Sequence, residues 1–392
     1  MPPFNKLPPE ISELLNIVPS LLKKTFPIPK KYRGALPSAV NELSHLLTNK
    51  RGDRSLSYLG RPNYLSAYLH YFLPWNLYRL CFLLPDLDLK LNPDDTIADL
   101  GSGPLTFASA LWIARPDLRK IPLEINCIDR SSPALEAGIA FFSALCADAG
   151  ESVNWKIKTI REDIDFRRQA LRNEKKTNLV CAINLFNEIY EKIPHNNTEK
   201  LKQTAANTAQ LMHSMALPDS SILTVEPGVP QSGKFISLLR DTFIELERPP
   251  VSPCTHSETC PFLGSPAVSQ KKRWCHFAFE AADAPKELLR LSAAAGLPKE
   301  RLVYSYLLTG QVSQPVKKNK NTNNALRVIS DAFPLPQNRF GRYGCSSEGL
   351  VLLGGEKKRI EKIHSGSLVP VSEFSLTGVR DVKSGALILE VK

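Results

Sequence analysis

The sequence predicts an α/β fold with a doubly wound, mainly parallel sheet of seven strands. Two observations lead to this prediction. From residue 96 onwards, short apolar segments alternate with segments of helical periodicity, which is typical of consecutive βαβ units. A glycine-rich turn also follows the first apolar segment, and an aspartate ends the second, as in sheets that bind a ligand at their carboxyl edge.

Residues 1–92 form a predicted N-terminal helical region. Apolar residues recur at helical spacing over residues 7–24, and a second helix is expected over 37–47. A third, rich in aromatic residues, is expected over 63–84. It should bend or split at Pro74, because proline removes a helical hydrogen bond.

Residues 93–335 form the predicted sheet domain, with helices on both faces of the sheet because each strand is followed by a helical segment. One of these helices, highly charged, is expected over 167–174. The seven expected strands cover residues 96–100, 123–129, 155–160, 178–186, 221–227, 301–309 and 325–333.

Two irregular parts complete the chain. An inserted loop at 249–279 is rich in proline, serine and cysteine and has no apolar period, and loops of that length commonly carry function. Residues 336–392 contain strand-like pieces separated by glycine and basic residues, and they are expected to form a small β-rich appendage.

The glycine-rich turn predicts a cofactor site. Gly101 and Gly103 lack the Cβ atom that would keep a ligand from the backbone. Thr106 stands where a dinucleotide fold usually has a third glycine, so the D-x-G-x-G pattern beginning at Asp99 favours S-adenosylmethionine over a dinucleotide. Asp129 ends the second strand, 26 residues after Gly103, where a carboxylate can accept both ribose hydroxyls. The sheet is therefore predicted to be of the methyltransferase type.

Further residues are candidates for the same site. Ser102 lies within the turn, and Asp163, after the third strand, is expected either to meet the adenine amino group or to be a solvated loop acid. Asn184, Asn187 and Glu188 end the fourth strand, beside the point where a methyl acceptor would bind. The two prolines that often follow such an Asn in amino-group methyltransferases are absent there, and no general base is evident, so the catalytic residues are not assigned.

The charge balance favours an anionic partner. The chain has 50 Lys and Arg against 39 Asp and Glu, a net charge of +11 that suits RNA or serves only solubility. No secretory signal or membrane span is evident, which predicts a soluble, cytoplasmic protein with reduced thiols and neither a membrane nor a DNA partner. The cations expected to face RNA are Lys271, Lys272, Arg273, Lys317, Lys318, Lys320, Arg339, Arg342, Lys357, Lys358 and Arg359.

Four of the eight cysteines fall in irregular segments and are candidate metal ligands. Cys254, Cys260 and Cys275 lie in the inserted loop with the spacing C-x5-C-x14-C, and Cys345 lies in a later glycine-rich turn. Four thiolates suit a zinc ion or an iron–sulfur cluster. The spacing lacks the paired C-x2-C of most zinc ribbons, so zinc is not favoured, and unligated loop thiols are the alternative. The other four cysteines lie in apolar segments and are expected in the core.

Taken together, these segments resemble a known family, the methyltransferase-like proteins associated with the small subunit of the mitochondrial ribosome and their bacterial relatives. The resemblance covers about residues 55–365. It rests on the ordered segments SYLGRPNYLSAYLHYFLPWNLYRL, IADLGSGPLTFASAL, VEPGVPQSGKFISLLR, PCTHSETCPF, WCHF, YSYLL, RVISDAF and GCSSEG.

The resemblance implies a class I methyltransferase domain that binds S-adenosylmethionine and acts in assembly or maturation of the small ribosomal subunit. It also implies a four-iron, four-sulfur (4Fe-4S) cluster, with Cys254, Cys260, Cys275 and Cys345 as the matching ligands. Three functions stay open. They are methylation of ribosomal RNA, a non-catalytic RNA-binding assembly role with the same ligands, and a small-molecule methyltransferase with a structural zinc ion.

Overall fold

The computed structural model describes residues 6–48, 58–167, 175–190, 193–194, 197–264, 274–310 and 325–392. The predicted N-terminal helices are present. The third is one continuous helical segment of three parts, in which a π-helical turn at Tyr68–Phe72 joins two α-helices and Pro74 lies in the first turn of the second. The helices are α1 (Pro9–Thr25), α2 (Lys30–Arg33), α3 (Leu36–Thr48), α4 (Pro62–Ala67) and α5 (Leu73–Cys81), with 3-10 turns at Tyr58–Gly60 and Leu84–Asp86.

The first sheet contains eight strands in the order β3-β2-β1-β4-β5-β8-β6, with β7 also paired to β8. The first five strands are parallel, whereas β6, β7 and β8 are antiparallel to their neighbours. The sheet is therefore mixed. The strands are β1 (Thr96–Leu100), β2 (Leu123–Asp129), β3 (Trp155–Arg161), β4 (Thr177–Ile183), β5 (Ala216–Pro227), β6 (Pro250–Ser252), β7 (Phe277–Glu280) and β8 (Arg301–Thr309).

Helices cover both faces of this sheet, as expected for a doubly wound fold. On one face the N-terminal helices α1 and α5 add a further layer over α6 and α8, and these elements share one buried core. On the other face α10 and α11 pack over a second core. The helices are α6 (Thr106–Ala114), α7 (Pro116–Arg119), α8 (Ser132–Asp148), α9 (Asn187–Tyr190), α10 (Thr198–Met215), α11 (Pro230–Glu245), α12 (Pro261–Gly264) and α13 (Lys286–Ala294).

The cysteine-containing loop connects two short strands, β6 and β7, that both pair with β8. Both β6 and β7 pair with β8, the first near Thr309 and the second from Tyr304 to Arg301. The two short strands thus follow one another along the same side of β8, and the chain between them carries three of the candidate ligands. This places the loop against the sheet at both of its ends.

The second sheet has seven strands in the order β13-β9-β11-β12-β15-β14, with β10 paired to β11, around a small apolar core. One expectation is wrong here, because the segment 325–333 was expected to be the seventh strand of the first sheet. Its strand β9 pairs instead with β11 and β13. The elements are β9 (Ala325–Val328), β10 (Phe333–Leu335), β11 (Arg339–Ser346), β12 (Gly349–Gly355), α14 (Lys357–Glu361), β13 (Leu368–Pro370), a 3-10 turn (Val371–Glu373), β14 (Phe374–Arg380) and β15 (Leu387–Val391).

Most of the helix expected over 167–174 lies outside the described residues. Within the described ranges, no helix combines the length and the apolar character needed to cross a membrane.

Candidate functional site

A cavity opens at the carboxyl edge of β1, β2 and β4, where the sequence places the cofactor turn. Parallel strands present their carboxyl ends at one edge, and ligands of open α/β sheets bind there. The lining residues come from this edge and from the N-terminal helical region: Tyr58, Leu59, Tyr68, Gly101, Gly103, Asp129, Arg130, Ser131, Glu162, Asp163, Ile164, Phe166, Ile183, Asn184, Leu185, Glu188 and Ile189.

The glycine turn adopts a backbone that favours glycine. Gly101 has φ +67° and Gly103 has φ +53°, both in the left-handed region. A Cβ at Gly101 would lie 2.5 Å from a side-chain carbon of Leu185, whereas a Cβ at Gly103 would have no atom within 4 Å. The turn is held to β2 because the amides of Gly101 and Ser102 both donate to the Ile128 carbonyl. Gly103 therefore presents open backbone to the cavity.

The Asp129 carboxylate is fixed by two backbone amides. Its Oδ2 accepts from the Gly103 amide at 2.9 Å, and its Oδ1 accepts from the Ser131 amide at 2.8 Å. Burial raises the pKa of Asp129 above its usual value, and the two amide hydrogen bonds oppose that shift. The side chain that ends β2 is thus aligned with the glycine turn at the cavity wall.

Asp99 lies behind the turn and does not line the cavity. It is buried, its Oδ1 accepts from the Cys181 thiol at 3.4 Å, and its Oδ2 has no hydrogen-bond partner in the structure. Burial raises the pKa of Asp99 to about 7. The buried Ser102 hydroxyl and Asn184 side-chain oxygen are likewise without partners. Of these three residues only Asn184 lines the cavity, and its unpartnered oxygen suits a polar ligand because buried polar groups are normally hydrogen-bonded.

The candidate acceptor residues divide into two groups. Asn184, with φ +55°, and Glu188 line the cavity, and Glu188 forms a 2.7 Å ion pair with Arg130. Asn187 does not line it and instead donates to the Asn184 carbonyl at 3.1 Å. Asp163 is exposed at the rim.

A buried glutamate that the sequence did not single out as a site residue organises residues 184–188, the acceptor turn, which contain the three candidate acceptor residues. Glu226, at the end of β5, accepts from the Phe186 amide at 2.7 Å and from the Tyr190 hydroxyl at 3.2 Å. Burial raises the pKa of Glu226 to about 7. The only sequence signal was its place in the E-P-G segment at a strand end.

The four candidate metal ligands are brought to one region from separate segments. Cys345 on β11 is paired opposite Arg327 of β9, and the Arg327 Nε donates to the Pro253 carbonyl at 2.9 Å, next to Cys254. His256 contacts the Cys345 sulfur at 3.4 Å. Burial first, and then the charges of Cys254 and Cys260, raise the pKa of both Cys275 and Cys345. The four thiols are therefore close enough to influence one another.

A buried arginine holds the first half of the cysteine loop. Arg240 on α11 donates to the His256 and Glu258 carbonyls at 2.9 and 2.6 Å, and it also contacts the Cys254 side chain. Within the described part of the chain, however, no group of three or more His, Cys, Asp or Glu side chains is gathered closely enough to hold a metal ion. The loop is thus organised by protein contacts, and a metal centre is not shown.

Trp274 connects the cysteine loop to the sheet edge. Its Nε1 donates at 2.9 Å to the carbonyl of Gly228, the last residue of the E-P-G segment. Its side chain also covers Gly233 of α11, where a Cβ would lie only 2.7 Å from the indole. The residue before Cys275 therefore reaches the strand end that organises the acceptor turn.

The described cations that were expected to face RNA do not form one exposed surface. Arg342 is buried and donates to the Ile360 and Ser330 carbonyls, so its expected RNA contact is wrong and its role is structural. Arg339 is paired with Glu390, whereas Lys358 is exposed. Six of the cations lie outside the described residues: Lys271, Lys272, Arg273, Lys317, Lys318 and Lys320.

A family model described as the mitochondrial small ribosomal subunit protein Rsm22 matches residues 88–334. The chain belongs to the Rsm22 family. The matched region contains the glycine turn, the E-P-G segment and the first three candidate ligands, whereas Cys345 lies beyond it. Since the family's description refers to a mitochondrial particle, a cytoplasmic location stays a prediction. No curated protein matches this Rsm22-family chain.

Solved methyltransferases are also similar to this chain, at low identity. One from Geobacter sulfurreducens, in complex with S-adenosyl-L-homocysteine, is 12% identical with a TM-score of 0.32, over 61% of this chain and 91% of that one. Another from Thiobacillus denitrificans, with the same ligand, is 14% identical with a TM-score of 0.33, over 72% and 99%. Likenesses this weak transfer no ligand or activity to the Rsm22-family chain.

Proposed function

We propose that this chain binds S-adenosylmethionine in the cavity at the carboxyl edge and methylates RNA of the small ribosomal subunit during its maturation. The observation that carries the proposal is the arrangement of Asp129, whose carboxylate is fixed by the Gly103 and Ser131 amides at the cavity wall. The ribosomal part rests on membership of the Rsm22 family.

The residues present fit the cofactor. Asp129 would accept the ribose hydroxyls, since each carboxylate oxygen can accept a further hydrogen bond beyond the amide it already takes. Gly103 has open space where its Cβ would be, so the methionine end of the cofactor can approach the backbone. Ile164, Phe166 and Leu185 provide an apolar wall suited to the adenine ring. Asp99 is buried outside the cavity lining, so no contact with the cofactor is proposed for it.

We infer that the four cysteines hold the iron–sulfur cluster that the sequence resemblance implies, rather than a zinc ion. A tetrahedral zinc ion about 2.3 Å from each sulfur would need the sulfurs gathered within roughly 4 Å of one another. No ligand group that compact occurs among the described residues. A cubane cluster spans a wider gap, because four irons and four sulfides lie between the cysteines. Cys254, Cys260, Cys275 and Cys345 would hold it, and Arg240 would offset part of the thiolate charge.

Such a cluster would supply a covalent link between the inserted loop and the second sheet, with redox chemistry available at its irons. This chain's own residues fix where that link is made. Trp274 and Ser305 anchor the Cys275 segment on the first sheet, and Arg240 anchors the Cys254 segment on α11. The proposed role of the centre is to order this surface for the ribosomal particle.

A non-catalytic assembly role is the second candidate, and the acceptor edge favours it. Glu188 is ion-paired with Arg130, and Glu226 accepts hydrogen bonds from the acceptor turn and Tyr190. Neither carboxylate is therefore available as a general base in this arrangement. By contrast, the unpartnered side-chain oxygen of Asn184 could accept a hydrogen bond from the amino group of an RNA base, which supports the first proposal, methyl transfer.

The test is methyl transfer to purified small subunits from cells that lack the protein, with labelled S-adenosylmethionine. The enzyme proposal expects incorporation into the RNA by the wild type and none by Asp129→Ala. Cofactor binding by the wild type without any incorporation would overturn the enzyme proposal and leave the assembly role. Incorporation into RNA at a defined position would exclude the non-catalytic role.

A further inference from the structure

Arg79 on α5 is a half-buried cation without a counter-ion among the described residues. Its Nη1 donates to the Asn76 side-chain oxygen at 3.0 Å, and its Nε is buried without a hydrogen-bond partner. Burial lowers the pKa of Arg79, and the only groups that oppose this are the hydroxyls of Tyr304 and Tyr68. In the part of the chain that the structure describes, no carboxylate contributes to that balance.

A second cation lies beside it. Lys299, in the segment between α13 and β8, has its Nζ 5.8 Å from the ring centres of both Tyr71 and Trp75. Trp75 lies one turn before Arg79 on α5, so the contact with Trp75 places Lys299 on the same side of that helix as Arg79. Burial and the charge of Arg79 together lower the pKa of Lys299 to about 8. Lys299, too, has no carboxylate among the described groups that act on it.

Such an arrangement costs stability in the free protein. Two neighbouring cations that are partly removed from water repel each other, and an unpaired buried charge is unfavourable unless it gains a partner. Residues that destabilise the free protein occur mainly at functional sites, where a bound ligand provides the missing interaction partner. The missing partner here is an anion.

Arg79 is connected to the cavity lining through hydrogen-bonded side chains. Asn76, which holds Arg79, also forms a side-chain hydrogen bond with Tyr68. Tyr68 lines the cavity, and its pKa responds to Asp129 and Glu188 across it. On the other side, Tyr304 is paired with Pro227 at the carboxyl end of β5. Two side chains, Asn76 and Tyr68, thus connect Arg79 to the proposed cofactor cavity.

We propose that Arg79 and Lys299 form a subsite for a phosphate group of the RNA backbone, next to the methyl-acceptor position. A guanidinium binds phosphate through paired N–H donors, and an ammonium adds a second charge-assisted hydrogen bond. The subsite rests on the proposed function, because RNA is the phosphate source that this function supplies. It would fix the register of the RNA relative to the cavity.

The first test is the stability of the ligand-free protein with Arg79→Met, which keeps most of the side-chain volume and suits a helix. Removal of an uncompensated cation should leave the melting temperature unchanged or raise it. The matched control is Arg290→Met on α13, an exposed arginine whose loss changes the net charge equally. A melting temperature for Arg79→Met well below that of the control would show a structural arginine and overturn the subsite.

The second test uses inorganic phosphate as the probe, at ionic strength matched with sodium chloride. Phosphate should raise the melting temperature of the wild type and of Arg290→Met but not that of Arg79→Met, because a ligand stabilises only a state that binds it. An equal response of all three proteins would overturn the subsite. A response confined to the proteins with Arg79 would support it, even if the wild type bound no RNA and the proposed function failed.

The third test measures binding of a short single-stranded RNA by fluorescence anisotropy over a series of salt concentrations. Arg79→Met should bind about tenfold more weakly, as expected for a lost charge-assisted hydrogen bond, with a salt slope smaller by about one. RNA binding by the wild type and Arg79→Met with the same affinity and slope would overturn the subsite and leave the proposed function standing. Loss of RNA binding alone, with cofactor binding unchanged, would support it.

Discussion

Gly138→Ala should displace the glycine turn that is proposed to hold the cofactor, without itself contacting the cofactor. Gly138 lies in α8, and a Cβ there would be 2.5 Å from the Pro104 carbonyl carbon and 2.8 Å from the Leu105 amide nitrogen. Both are backbone atoms of the segment that follows Gly103, and Leu105 already has φ +54°. The clash therefore cannot be relieved by rotating a side chain, and the turn itself must shift.

The expected magnitude follows from two opposing effects. Replacing glycine by alanine inside a helix normally stabilises it by about 1 kcal/mol. Overpacking against a fixed backbone costs about 1–3 kcal/mol. Their sum predicts a net loss between about zero and 2 kcal/mol in the free energy of unfolding. Because the displaced atoms belong to the turn, the affinity for S-adenosylhomocysteine should fall about tenfold, the equivalent of about 1.4 kcal/mol.

Chemical denaturation and isothermal titration calorimetry measure the two quantities. Gly34→Ala is the matched control, because a Cβ at Gly34 would have no atom within 4 Å and the residue lies far from the turn in sequence. The control should bind the ligand as the wild type does. Unchanged ligand affinity in Gly138→Ala, with a helix stabilised by the full propensity gain, would refute the reasoning that the added Cβ displaces the turn. Lower stability with unchanged ligand affinity would refute the proposal that this turn holds the cofactor.

Three further predictions concern the other elements of the site. Gly233→Ala should push the Trp274 indole away from α11 and lower the iron content of anaerobically purified protein, whereas iron equal to that of Gly34→Ala would show that Trp274 does not position the loop. Cys345→Ser should lower the melting temperature and the metal content, and an unchanged transition with unchanged metal would contradict the proposed link to β11. Burial raises the pKa of Asp99, which lies near Cys181 and Asp129, from 3.8 to about 7. Between these two pH values Asp99 therefore binds more protons in the folded protein than in the unfolded protein. Stability should therefore fall as pH rises from about 4 to 7, and Asp99→Asn should flatten that slope in urea denaturation; an equally steep slope would contradict the assignment.

Local sequence signals were enough to predict the first strands and the glycine turn at the carboxyl edge of the first sheet. The strand β1, the turn at Gly101 and Gly103 and the aspartate that ends β2 are each defined by a few consecutive residues, and the structure brings Gly103 and Asp129 into direct hydrogen-bond contact. Their assignment as cofactor ligands stays a proposal. Gly138 carries no such signal, since its importance comes from a close approach between α8 and a turn more than thirty residues earlier.

Long-range pairing was not predictable in the same way. The segment 325–333 has the apolar character of a strand, but periodicity does not specify which strand is its partner, and β9 pairs in the second sheet. The short strands β6 and β7 are separated in sequence by the cysteine loop. Only the structure shows that both pair with the same side of β8. Arg79 and Lys299 are likewise far apart in sequence and meet only through the fold.

Calorimetric titration of the full-length protein with S-adenosylmethionine, in parallel for the wild type and Asp129→Ala, tests the central claim most directly. The account predicts one binding site in the wild type and a loss of at least tenfold in affinity for the variant, because a fixed carboxylate that accepts two ligand hydroxyls is removed. Asp148→Ala, an exposed aspartate at the end of α8, should bind as the wild type does. No heat of binding in a folded wild type, or equal affinity in Asp129→Ala, would contradict the account.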